Sequence, residues 1–138
     1  MNDPSLSEAT VQQVQLELIR RSSFNCFDGD LVADSLTRHR DLWLAAYMDR
    51  FGLAHKKHRD WFASGSLIKL RDLPGGRWNV DTLVVLTETT DQAQQLAHIA
   101  EQENWQADDV TVQDNTDELA FALGMWPTDH KVLSVWWD

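Results

Sequence analysis

Three carboxylates in the second half of the chain, Glu88, Asp114 and Asp138, each stand at the exit of a short apolar run. The runs are Leu83–Leu86, Val110–Val112 and Val132–Trp137, and each reads as a strand. In open α/β sheets, ligands settle in the crevice beyond the carboxyl ends of the strands, so the three acids are expected to converge on one edge. Hard oxygen donors of this kind suit Mg²⁺, which would support metal-assisted phosphoryl transfer or hydrolysis. The competing account is local, because acids near helix starts complement the helix dipole without binding anything. Neither strand-to-helix turn contains glycine, so the backbone cradle that holds a nucleotide phosphate is not encoded.

Other reactive side chains are less suited to chemistry. His55 and His58 have helical i, i+3 spacing, but Lys56, Lys57 and Arg59 are interleaved with them and would repel a cation. That stretch reads better as a binding surface, in which Lys56, Lys57 and Arg59 supply charge and Trp61 and Phe62 supply aromatic anchors. Equally, Trp61 and Phe62 would serve to pin the helical half of the chain onto the sheet. Cys26, set in F-N-C-F, reads as a small buried hydrophobe. Asp28 and Asp30 flank Gly29 without the further ligands of a calcium loop, which leaves a turn followed by a helix cap at Asp30. Asp81 is expected to pair with Arg71 or Arg77 across a hairpin.

The charge balance narrows the partners. The 138 residues carry a formal charge of −10. Residues 1–60 hold nine acids and eight bases, whereas residues 61–138 hold thirteen acids and four bases. Direct nucleic-acid binding and an anionic membrane surface are disfavoured, and a basic protein partner is favoured. A single cysteine rules out an internal disulfide framework, and neither a signal pattern nor an apolar run of spanning length is present. These features together suggest a soluble cytoplasmic protein. Seven tryptophans are an unusual number for this length. Most are expected in the core, with one or two facing a partner.

The elements that would position these residues follow from pattern. A first helix over 6–21 is suggested by Ser5 and Glu8 as a capping box and by the stripe Val11, Val14, Leu18. Helical periodicity continues over 30–38 and 41–51, the latter closed by Gly52. From Ser66 the pattern changes to that of strands. The run 66–73 and the segment Trp78–Thr87, joined across Pro74-Gly75-Gly76, predict an antiparallel hairpin. Thr89 and Gln92 then cap a helix over 90–103, a strand follows at 109–113, and Asn115 and Glu118 cap a helix closed by Gly124. A last strand covers 131–137.

The expectation is one α/β domain spanning 1–138. A helical layer (1–62) packs against a β-β-α-β-α-β unit (63–138) that forms a four-stranded mixed sheet, with its helix-linked strands parallel. The favoured function is a non-catalytic protein–protein interaction that masks a basic partner, in the manner of an immunity protein or antitoxin, with no cofactor. The alternative is a small Mg²⁺-dependent enzyme built on Glu88, Asp114 and Asp138. Oligomeric state is not encoded in any pattern here.

Overall fold

The computed structural model describes residues 4–50 and 67–138. Helix α1 (Val11–Arg21) starts at Thr10, whose hydroxyl accepts from the Gln13 N–H while the Gln13 side chain accepts from the Thr10 N–H. This capping box replaces the one expected at Ser5, whose carbonyl instead closes a turn with Glu8. A two-stranded hairpin, β1 (Ser23–Phe24) and β2 (Phe27–Asp28), leads into helix α2 (Gly29–Arg38), capped by Asp28 rather than Asp30. Cys26 occupies the two-residue turn of that hairpin and is exposed, not buried. Gly29 cannot be any larger residue without a shift, because a Cβ there would lie 2.3 Å from the Ile19 carbonyl and 2.4 Å from that of Ser22.

Strand β3 (Ala45–Asp49) stands where helix 41–51 was expected. Leu42, Ala45 and Met48 fit a helical stripe, but Ala46 and Met48 alternate equally well with Ala45 and Tyr47. Five residues cannot separate the two periods, and pairing with β4 (Thr82–Thr87) decides the matter through Ala46↔Val85 and Met48↔Leu83. Residues 66–73 reverse the error. Their described part forms helix α3 (Ile68–Asp72), so β3 takes the place of the expected hairpin arm. Arg71 accordingly clamps Asp72, at 2.8 and 2.9 Å, and not Asp81, which accepts from the Thr82 hydroxyl.

The remaining elements follow the sequence pattern closely. They are α4 (Thr90–Gln102), β5 (Asp109–Gln113), α5 (Thr116–Leu123) and β6 (Lys131–Trp136), with Thr89 and Asn115 as the caps. Gly124 ends α5 at φ 65°, a conformation open to glycine.

The sheet has four strands in the order β3-β4-β6-β5, and every neighbouring pair is antiparallel. The expected mixed sheet is therefore corrected in its strand directions. β4 and β5 do run the same way, as a helix crossover favours, but β6 is inserted between them and runs against both.

One face of the sheet carries the core. Ala46 and Met48 of β3, Leu83 and Val85 of β4, and Leu133 and Val135 of β6 form a single buried cluster with Ile19, Leu36 and Leu96 from the helices. Each fully buried aliphatic side chain contributes on the order of 1.5–3 kcal/mol. Among the tryptophans, Trp43, Trp105 and Trp137 are buried, while Trp126 and Trp136 are exposed. No helix among the described residues is long and apolar enough to cross a membrane.

Candidate functional site

Strand directions decide where the three expected metal-binding acids fall. Glu88 follows β4 and Asp114 follows β5, so these two lie at the same end of the sheet. Asp138 follows the opposed strand β6 and lies at the other end. There its N–H donates to the Asp108 carboxylate at 2.7 Å and its carbonyl accepts from the Asn25 amide. The expected convergence is thus corrected by the insertion of β6. The end shared by Glu88 and Asp114 instead receives Lys131, which is buried. Its ammonium donates to the Asp129 carbonyl at 2.8 Å and the Thr116 hydroxyl at 3.3 Å. Among the described residues, no group of three His, Cys, Asp or Glu is placed to hold a metal ion. Lys56, Lys57, Arg59, Trp61 and Phe62 lie outside the described residues, as do His55 and His58.

A polar cluster that the sequence does not announce joins α2 to the end of α4. The Glu103 carboxylate accepts from the Ser35 hydroxyl and the Arg38 guanidinium, and its other oxygen lies 2.7 Å from His39 Nε2. The Trp105 indole N–H donates to Ser35 Oγ at 2.9 Å. The Ser35 hydroxyl above all, then His39 and Arg38, hold the Glu103 carboxyl down to about 2. Serine, histidine and glutamate are the types of a nucleophilic triad, but here the carboxylate stands between the other two, and the histidine does not touch the hydroxyl. Ser35 is also fully buried, out of reach of any substrate. The cluster is a clip, not a catalytic centre.

What the clip holds in place is the turn from α4 to β5. Trp105 is sunk into the core by three bonds. Its indole reaches Ser35, its carbonyl accepts from the Trp137 indole at 2.8 Å, and its N–H donates to the Ala100 carbonyl at 3.0 Å. Asn104 and Gln106, on either side, take left-handed conformations at φ 59° and 58° to permit this insertion. The turn closes one end of a groove of about 410 Å³ between α4 and β5, with Ala97, Ala100, Glu101 and Val110 among its walls.

The groove runs beside a sheet edge. β5 pairs with β6 on one side, and among the described residues nothing pairs with the other. The opposite edge, β3, is treated differently. The side-chain amide of Gln12 from α1 accepts from the Ala46 N–H and donates to the Ala46 carbonyl, both at 2.8 Å, as a neighbouring strand would. Around β5 stand the exposed carboxylates of Glu101, Asp108, Asp109, Asp114, Asp117 and Glu118. None of the six makes an ion pair among the described residues. Beyond them, Phe121 of α5 is 89% exposed and Trp126 is 73% exposed. No family model, curated protein or solved structure matches the chain, so these residues speak for themselves.

Proposed function

We propose that the chain is a non-catalytic cytoplasmic binding protein whose β5–α5 side engages and masks a basic protein partner, in the manner of an immunity protein or antitoxin. The observation that supports this is the set of six exposed carboxylates around β5 and the start of α5, none of them ion-paired among the described residues. Within each group, Asp108 beside Asp109 and Asp117 beside Glu118, like charges repel and are relieved by an opposite surface. They also draw that surface in by long-range attraction, which raises the rate of encounter. Phe121 and Trp126 beside them are the residue types that anchor an interface once water is displaced.

The test is capture from a lysate of the source cells across a salt series. The chain should retain a basic protein in one-to-one ratio at about 50 mM salt and release it near 500 mM, where screening shortens to a few ångströms. A variant combining Asp109→Asn, Asp114→Asn, Asp117→Asn and Glu118→Gln should lose that protein while keeping its circular dichroism spectrum. Retention of the same protein by the variant, or salt-insensitive capture, would overturn the reading.

A further inference from the structure

The unpaired edge of β5 and the groove beside it have the layout of a strand-addition site. We infer that the basic partner is recognised as an extended segment that joins the sheet as a fifth strand along β5. This rests on the charge reading above and adds to it the mode of recognition.

Three features converge on this edge. First, its backbone groups are free among the described residues, whereas on the other edge of the same sheet the Ala46 backbone is paired by the Gln12 side chain. Second, β5 alternates. Val110 and Val112 point to the helix side, in register with Val135 and Leu133 of the core face, while Asp109, Thr111 and Gln113 point to the open face. Val110 remains 39% exposed because α4 leaves the groove uncovered above it. An added strand would therefore send alternate side chains into the groove over Ala97, Ala100 and Val110. It would send the others onto the open face beside Asp109. Main-chain bonds supply affinity in this mode, and alternate pockets supply selectivity. Third, the charges choose the occupant. Asp108 and Asp109 stand at one end of the strand and Asp114 at the other, so a second copy of β5 laid along the edge would bring acids against acids. A segment alternating small apolar residues with lysine or arginine fits both sides. The turn closing the groove is pre-set by the bonds of Trp105, so the edge needs no rearrangement to receive it.

The experiment uses a blocked hexapeptide of alternating lysine and valine, titrated into the isotopically labelled full chain. Amide shifts should be confined to 109–113 and the facing part of α4, and β5 amides should gain protection from hydrogen exchange. Two further peptides carry N-methyl groups on alternate residues, one set on each backbone edge, which leaves charge and side chains intact. One of the two should bind at least about tenfold more weakly than the parent, and the other about as well, since only one edge meets β5. Equal binding by all three peptides would overturn strand addition while leaving attraction by charge standing. No binding of the parent peptide, or shifts centred on Phe121 instead, would also overturn it. So would protection of β5 amides without peptide in a concentration-dependent dimer, which would assign the edge to a second copy. The charge reading falls separately, through the neutralised variant in the lysate capture.

Discussion

At Glu103 the protonation of one side chain acts directly on the fold. Its carboxyl is held near 2 against an ordinary 4.5, so the stabilisation it provides is complete above about pH 4.5 and disappears as pH falls to about 2. Asp72, held near 2 by Arg71 and Asn79 against an ordinary 3.8, loses its contribution between about pH 3.8 and 2. Thermal unfolding followed from pH 5 to pH 2 should show melting temperature falling with pH. Glu103→Gln should flatten part of that slope and cost roughly 1–2 kcal/mol at neutral pH. Gln12→Ala makes a second prediction at this scale. It strips two bonds from the edge of β3, and urea denaturation should show a loss of about 1–3 kcal/mol with an unchanged slope against denaturant. Neither residue is legible in the sequence. Ser35 and Glu103 lie 68 positions apart, and Gln12 and Ala46 lie 34 apart, so no local pattern links them. The helix caps at Thr89 and Asn115 were legible because donor and acceptor sit three residues apart and their geometry is local.

Among the elements, the junction of α1 and α2 is the least forgiving. Gly29→Ala places a methyl group against three backbone carbonyls that cannot rotate away, the farthest of them at 2.7 Å. The variant should lose about 2–4 kcal/mol, or fail to accumulate as folded protein, with circular dichroism and denaturant titration as the readout. Helix α5 makes the opposite case. Only Ala120 of its residues is buried, and Phe121 on it and Trp126 just beyond it are mostly exposed, so Phe121→Ser and Trp126→Ser should each change stability by less than about 0.5 kcal/mol. Weaker binding of a partner by these variants would then report on contact, not on folding. Elements were legible where length and caps agreed, as in α4, α5, β5 and β6. They were misread at 41–51 and 66–73, where runs of a few residues satisfy two periods at once and tertiary pairing chooses between them. The five residues named for partner binding near position 60 lie outside the described residues. The β5 edge is not legible in the sequence, because an edge is a property of strand order, which no short pattern carries.

For the whole molecule, a helical layer packed against a four-stranded sheet is readable from the sequence, and the directions of the strands are not. A helix between two strands favours their running in parallel, which holds for β4 and β5 across α4 and fails for β5 and β6 across α5. It does not reveal that a later strand will be threaded between them. The net charge of −10 also acts at this scale. Association with a basic partner should slow steeply as salt rises, while dissociation changes less, and stopped-flow mixing at several ionic strengths would resolve the two. The threading of β6 has one more consequence. Among the described residues β5 pairs with the sheet only through β6, so a change that frees β6 from β4 detaches β5 with it. β6 is thus the strand on which the sheet's continuity depends, with β4 on one side of it and β5 on the other. β5 is the outermost strand, and the margin it leaves unpaired among the described residues is where the series can continue in another chain.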